Sequence, residues 1–428
     1  TREIASSPEK MPALLSRIMG ARLILLLLVG VIYIGVISGI DRPRDVIIVM
    51  FIQILGLLSA AMTVDFLFQG VQRMGPVAIR QGASALAGMI AVLIVVRDPG
   101  DVFAAAAIPF SAMLISAVLL GLYANRRIAP MGFSFQLAGL KDVLVDSAPI
   151  LLAGLMSLVF LNVDVVMLGF LRSAEEVGIY VGMGRLFVLS MFVGQIVSAA
   201  FAPALAAAAS DPDEKRATYY RHIRIIVFIG TPVCAGIIAF PDWVIKVVFG
   251  EQFIAGAPIL ALLVMAAMLS YACMAPLTAL VAWRDQTAQM VILSIVAAAN
   301  VVLNLWLIPV HGGIGAAIAT LAAQLVMLVL LIYRVMSKFG LFGFLPAAGA
   351  ILCGGAAFAA ARGAISALEL GDDVYAVWIL PFLMVVAGTG LYMVLTYAVG
   401  VVRRADLTAL IYLARNRGAK QQESTDGQ

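Results

Sequence analysis

Residues 21–40 read ARLILLLLVGVIYIGVISGI and contain a single charged side chain, Arg22. A helix that crosses a bilayer needs about 20 mostly apolar residues, because the hydrocarbon is roughly 30 Å thick and a helix rises about 1.5 Å per residue. This stretch therefore predicts a transmembrane helix. Eleven further segments of the same character follow at short intervals: 46–69, 77–96, 102–123, 145–170, 178–203, 223–243, 256–282, 288–309, 313–335, 343–366 and 374–401.

The composition of the 428-residue chain excludes a soluble protein. Hydrophobic residues make up 63% and charged residues 12%, whereas soluble domains have roughly 45–50% and about 25%. The apolar runs are too long and too uniform for barrel strands, which alternate over about ten residues. We predict an all-α membrane protein with about twelve transmembrane helices. Cys234, Cys273 and Cys353 lie in apolar runs without CxxC spacing, which predicts packing residues rather than a metal or redox site.

The positions of the basic residues predict the orientation of the chain. If the spans alternate in direction, 21 of the 28 Lys and Arg residues fall on one side, six on the other, and Arg185 within a span. Cytoplasmic loops carry the excess of Lys and Arg. Both termini are therefore expected in the cytoplasm, together with the longest polar connector, 210–224, and the polar tail 403–428. An even number of spans is consistent with that arrangement.

Charged side chains inside the apolar runs are candidates for function, since they normally face a protein interior or water. Asp65 and Asp146 lie near span ends, where a structural role at the membrane interface is equally compatible. Asp164 and Arg185 lie at similar depths on consecutive spans of opposite direction. We hypothesise that they face one interior cavity and pair. A structural ion pair that only fixes the hairpin is the alternative.

Amide side chains form a second set of candidates. Asn300 and Asn304 are four residues apart and share one helix face, and Asn162 lies two residues before Asp164. Hydrogen bonds between helices are the alternative to ligand binding for such residues. His222 and His311 fall in predicted connectors, so no proton-relay histidine is expected within the membrane. The sequence has no P-loop, paired catalytic carboxylates or metal cluster, and we predict a transporter rather than an enzyme.

Four segments carry a family resemblance. They are NVDVVMLG at 162–169, EVGIYVGMGRL at 176–186, DFLFQGVQR at 65–73, and NVVLNLWLIP at 300–309 with GGIGAAIAT at 312–320. Together they resemble the oligosaccharide-flippase, or polysaccharide biosynthesis, members of the MOP (multidrug/oligosaccharidyl-lipid/polysaccharide) exporter superfamily. Phe66 stands where that family usually has Trp.

The resemblance implies a MATE-like two-lobe bundle around a central cavity. Residues 1–140 would form a partial amino-terminal lobe of four helices and 141–340 a carboxyl-terminal lobe of six. Residues 341–402 would add two helices, and 403–428 a cytoplasmic tail. The first span here is similar to the third span of the fourteen-helix family members, so the chain resembles the fourteen-helix plan without its first two helices.

The resemblance also implies a function. The chain would move an undecaprenyl-diphosphate-linked oligosaccharide across the bacterial inner membrane by alternating access, for envelope or exopolysaccharide synthesis. Arg185 would meet the diphosphate, and Asp164 would neutralise Arg185 or couple transport to Na⁺ or H⁺. No cofactor is expected, and a glycan polymerase is a candidate partner besides the lipid carrier and the bilayer. The residues that would line the cavity are Arg185, Asp164, Asp65, Gln69, Asn162, Asn300 and Asn304.

Two other functions stay open at the level of sequence. A drug:Na⁺/H⁺ antiporter of the same superfamily needs a buried acid, and Asp164 could serve as one. A membrane scaffold for glycan assembly that transports nothing would need neither Asp164 nor Arg185.

Overall fold

A computed structural model describes residues 11–71, 73, 75–98, 100–130, 132–134, 155, 158–159, 162–340, 344–367 and 374–401. All regular elements in these ranges are helices, as the sequence predicts. The α-helices are α1 (Met11–Gly39), α2 (Arg44–Ile52), α3 (Ile54–Met62), α4 (Asp65–Gly70), α5 (Gly75–Val95), α6 (Val102–Arg127), α7 (Asn162–Leu171), α8 (Ala174–Ala207), α9 (Pro212–Ala239), α10 (Pro241–Val248), α11 (Ala257–Ala282), α12 (Gln286–Phe339), α13 (Phe344–Ala367) and α14 (Val374–Ala398).

Ten stretches of these helices are long and apolar enough to cross a membrane. One of them, α12, has 54 residues and consists of two helices that meet at a kink. The short apolar helix α7 is the described end of the predicted span 145–170, and Asp146 lies outside the described residues. The prediction of about twelve membrane helices is therefore confirmed.

The chain divides into two compact units, residues 1–149 and 150–428. The amino-terminal unit contains α1 to α6 and packs around a cluster that includes Leu15, Leu67 and Phe68. The predicted second span, 46–69, is not one continuous helix here, because it is interrupted at Gln53 and again at Thr63. Thr63 has an extended backbone (φ −68°, ψ 127°), which separates α3 from α4.

Helices α8, α9 and α11 form the core of the carboxyl-terminal unit around Tyr271 of α11. The ring is 1% exposed and contacts glycines of the other two helices, Gly194 of α8 and Gly230 of α9. Its hydroxyl donates a hydrogen bond to the carbonyl oxygen of Ser190. Close approach of three helices therefore depends on small residues opposite one large ring.

Helix α12 is a hairpin whose two halves fold back on each other. Ile292 and Val296 of the first half pack in one buried cluster with Met327 and Leu331 of the second. The reversal occurs at Gly312, whose backbone (φ 57°, ψ −133°) is accessible only to glycine. The predicted spans 288–309 and 313–335 are thus confirmed as separate helical segments.

The prediction of a polar connector over 210–224 is wrong. Helix α9 begins at Pro212, because the Asp211 side chain accepts hydrogen bonds from the backbone N–H groups that follow it, and because proline suits the first helical position. His222 consequently lies inside a helix rather than in a connector. Its side chain is 0% exposed, stacks on Phe201 and contacts the Ser198 hydroxyl at 3.3 Å. His311, also predicted in a connector, is an exposed residue of α12.

Helices α13 and α14 pack on α9 within the carboxyl-terminal unit. Gly354 of α13 lies against the methyl group of Thr231, and the Tyr392 hydroxyl of α14 donates to the carbonyl oxygen of Phe228 at 3.1 Å. The three cysteines are buried and free. The tail 403–428 lies outside the described residues.

Candidate functional site

Asp164 lies at the centre of a polar contact between three helices. Its carboxylate accepts hydrogen bonds from the Tyr180 hydroxyl of α8 and, at 2.9 Å, from the backbone N–H of Val165. Tyr180 is 3% exposed, and a side-chain hydrogen bond links it to Thr320 in the second half of α12. The carboxylate is thus held by a neutral donor within the carboxyl-terminal unit.

The predicted ion pair between Asp164 and Arg185 is wrong. Arg185 is exposed, and no ion pair or hydrogen bond joins it to another residue that the structure describes. The reason is helical register: Arg185 follows Tyr180 by five residues, which places it about 140° around α8. Tyr180 occupies the face of α8 that meets Asp164, so Arg185 points elsewhere.

Asn300 and Asn304 are brought together by α12 as predicted. They are 1% and 0% exposed, and the Asn304 Nδ2 donates to the Asn300 Oδ1 at 3.0 Å. The Oδ1 of Asn304 and the Oε1 of Gln324 are buried and accept no hydrogen bond from the described residues. In a hairpin centred on Gly312, Asn304 is level with Thr320 and Asn300 with Gln324. Polar oxygens therefore collect at one depth of this unit.

The remaining predicted site residues do not join this polar region. Asn162 is exposed, and its Nδ2 donates to the Leu158 carbonyl oxygen at 3.0 Å. Asp65 belongs to the other unit, where both carboxylate oxygens bind Arg80 at 2.6 and 3.1 Å. The side chain of Gln69 lies outside what the structure describes.

Two arginines near the starts of the predicted spans 21–40 and 77–96 belong to the interior of the amino-terminal unit. Arg80 is 9% exposed and pairs with Asp65. Arg22 donates to the carbonyl oxygen of Thr63, and its guanidinium lies 4.6 Å from the centroid of the Phe66 ring. The interruption at Thr63 frees that carbonyl, and Arg22 satisfies it. Charged side chains within membrane spans usually pair with one another or with backbone carbonyl groups. The carboxylate of Asp65 in a predicted span was therefore the available sign of a nearby arginine.

A second missed feature stabilises the turn of the α12 hairpin. Because the chain leaves the helix at Gly312, the carbonyl groups of Ile308 and Pro309 lose their helical donors. The Arg172 guanidinium donates to both, at 2.7 and 2.8 Å. The freed N–H of Gly313 donates to the Glu176 carboxylate at 2.8 Å. The connection between α7 and α8 therefore supplies the partners that the turn requires.

Ion pairs join the two halves of α12 at the opposite end of the hairpin. The Asp285 carboxylate accepts two hydrogen bonds from Arg334, at 2.8 and 2.9 Å, and also contacts the Lys338 ammonium at 2.8 Å. The bonds from Arg334, followed by that from Lys338, hold the pKa of Asp285 below its usual value despite the burial of the carboxyl. Charge thus fixes the beginning of α12 to its end.

Known proteins share both the sequence pattern and the helical architecture. Residues 1–209 match the model of the family described as polysaccharide biosynthesis protein. This match covers just under half of the chain. The teichuronic acid biosynthesis protein TuaB of Bacillus subtilis (strain 168) is 26% identical to this chain over 138 residues. That match covers 32% of this chain and 29% of TuaB, so less than a third of the relative is spanned.

A solved structure shares the fold. The lipid II flippase MurJ in its inward closed conformation superposes with a TM-score of 0.72, covering 92% of this chain and 85% of that one at 15% identity. The all-helical fold expected from the resemblance is therefore confirmed, and the chain is a multi-pass membrane protein.

Proposed function

We propose that this protein flips an undecaprenyl-diphosphate-linked oligosaccharide across the bacterial inner membrane, with both termini in the cytoplasm. The main support for the proposal is the position and exposure of Arg185. It lies 11 residues into the 34-residue helix α8, about 16 Å from its start, exposed and unpaired among the described side chains. A charged side chain at such depth costs about 2.5–3.5 kcal/mol in lipid. Arg185 is therefore assigned to a polar surface that substrate and water contact.

The chemistry of the substrate fits a guanidinium at that position. A diphosphate-linked sugar cannot cross hydrocarbon without losing its water, so protein groups must replace that water. Arginine offers a planar pair of donors that binds phosphate oxygens at two points and stays charged. The family match over residues 1–209 and the similarity in fold to a flippase support the same assignment.

Asp164 is the group we assign to energy coupling. It is the carboxylate of the polar region in the carboxyl-terminal unit, and its neighbours Tyr180 and Thr320 are neutral. Among the residues that the structure describes, a carboxylate held by neutral donors and a buried oxygen that accepts no hydrogen bond, the Asn304 Oδ1, lie at similar depth. This combination suits a monovalent cation or a proton as co-transported substrate. The same arrangement would serve a drug:cation antiporter, so the transported molecule must be tested directly.

The test uses the full chain reconstituted in vesicles with lipid-linked oligosaccharide on one leaflet. Transport is measured as the fraction of glycan that a membrane-impermeant glycosidase reaches over time. Arg185→Gln should lower the initial rate at least tenfold. Arg126→Gln is the matched control, because Arg126 is an exposed arginine in the last turn of α6, and it should transport at the wild-type rate.

The coupling assignment has its own readout. Imposed Na⁺ and H⁺ gradients should change the rate for the wild-type protein but not for Asp164→Asn. Equal rates for Arg185→Gln and wild type would contradict the flippase proposal, whereas gradient dependence that survives in Asp164→Asn would contradict only the coupling role.

A further inference from the structure

An aromatic and basic cluster lies at the open end of the α12 hairpin, where three helices begin or end. The Lys215 ammonium, in the first turn of α9, stands 4.3 Å from the centroid of the Trp283 ring and 4.5 Å from that of Phe339. Those two rings meet edge to face at 4.7 Å. Trp283 is fixed because its Nε1 donates to the Leu205 carbonyl oxygen at 3.0 Å. Lys215 is thus held in place by rings rather than by an acid.

The cluster has more positive than negative charge. Asp285 is its acid, and both carboxylate oxygens are occupied by Arg334 and Lys338. None of the ion pairs between described residues includes Lys215. The Lys338 ammonium lies 5.5 Å from the centroid of the same Phe339 ring that Lys215 covers. Two ammonium groups therefore share one ring, and with Arg334 and Asp285 they form a cluster of net charge +2.

The surroundings of the cluster favour a lipid over a soluble anion. Helices α9, α11 and α12 are membrane-crossing helices by length and composition, and the cluster lies at their ends. Cations at the ends of membrane helices lie at the depth of the lipid head groups, so they are suited to the phosphate group of a lipid in the surrounding bilayer.

We propose that this cluster binds an anionic phospholipid, with the phosphodiester between Lys215 and Lys338 and the acyl chains in the surrounding bilayer. The aromatic rings position Lys215 before the lipid arrives, so little side-chain freedom is lost on binding. Each lysine near an anionic membrane surface contributes about 1 kcal/mol, which corresponds to roughly fivefold in affinity.

The proposal is tested by titrating the purified full chain, in a neutral maltoside detergent, with phosphatidylglycerol and counting bound lipids by native mass spectrometry. Lys215→Gln and Lys338→Gln should each weaken binding about fivefold, and the double variant about 25-fold. Phosphatidylcholine should bind all variants equally. Lys246→Gln is the matched control, since Lys246 pairs with the exposed Glu251 at 3.1 Å in a different connection, and it should bind like wild type.

A charge-preserving variant and a competition with inorganic phosphate complete the test. The variant with arginine at both positions keeps the charge and should retain phosphatidylglycerol, which separates loss of charge from loss of fold. Unchanged binding by the double glutamine variant would overturn the proposal. Displacement of the lipid by an equal concentration of inorganic phosphate would also overturn it, because the cluster would then be a site for soluble anions.

Discussion

The contact between Tyr271 and Gly230 predicts a measurable effect of one added methyl group. A Cβ built on Gly230 would lie within 2.6 Å of three atoms of the Tyr271 ring. The ring has little room to move, because a Cβ on Gly194 would also lie 2.6 Å from its Cε1 atom and because its hydroxyl is bound to Ser190. Gly230→Ala therefore has to push α9 away from α11.

The magnitude follows from two opposing effects. Overpacking a close-packed interior costs about 1–3 kcal/mol, whereas alanine in place of a helical glycine gains roughly 0.5–1 kcal/mol. With three ring atoms within 2.6 Å of the added Cβ, the cost is expected at the upper end of its range, about 3 kcal/mol. The net loss is then about 2–2.5 kcal/mol, which corresponds to a fall in melting temperature of roughly 4–10 °C for a unit of this size. The measurement is the loss of monodisperse protein on heating, followed by fluorescence-detected size-exclusion chromatography.

Gly178→Ala is the control, because a Cβ added to this glycine of α8 would have no atom within 4 Å, and the variant should melt at or slightly above the wild-type temperature. In a Tyr271→Leu background the clash partner is gone, so adding Gly230→Ala should cost nothing more. A wild-type melting temperature for Gly230→Ala alone would refute the role assigned to Tyr271.

Three further predictions concern charges and the hairpin turn. Because the folded pKa of Asp285 is lowered by Arg334, its stabilising contribution is present above the unfolded value of about 3.9 and is lost as pH falls through the folded value; Asp285→Asn should abolish that acid-dependent part of the melting curve. Arg80→Gln removes both hydrogen bonds to the partly buried Asp65 carboxylate and leaves it only the longer-range attraction of Arg22, which should destabilise by about 1–3 kcal/mol, whereas adding Asp65→Asn should recover most of that loss in the same thermal assay. Gly312→Ala would place a Cβ onto the Glu176 carboxylate at a backbone conformation restricted to glycine, which should cost at least about 1–3 kcal/mol and lower the yield of folded protein.

The membrane helices could be predicted from sequence because insertion into lipid depends on length and mean apolarity, which are local properties. The segments 256–282 and 343–366 correspond within one residue at each end to α11 and α13. The predicted connector at 210–224 failed because polar residues do not end a helix when a cap precedes them. Asp211 is such a cap, and the charged first turns of α9 extend the helix by three turns before its apolar part.

The partners of the polar residues could not be predicted from depth alone. Asp164 and Arg185 lie at similar depths, yet the rotation of α8 decides which of its residues meets α7, and that residue is Tyr180. Asn300 and Asn304 were predictable as a pair because both belong to one helix face. Contacts between helices depend on rotation and tilt, which apolar runs do not specify.

The first half of α12 contains polar groups whose partners lie in the second half, which is synthesised later. They emerge from the ribosome one after the other, and Arg334 follows Asp285 by 49 residues. Until the second half is made, Asp285 has no cation and the buried amides Asn300 and Asn304 have only each other. A first half released alone into lipid would leave the two amides facing hydrocarbon. Insertion of the two halves as a pair avoids that cost.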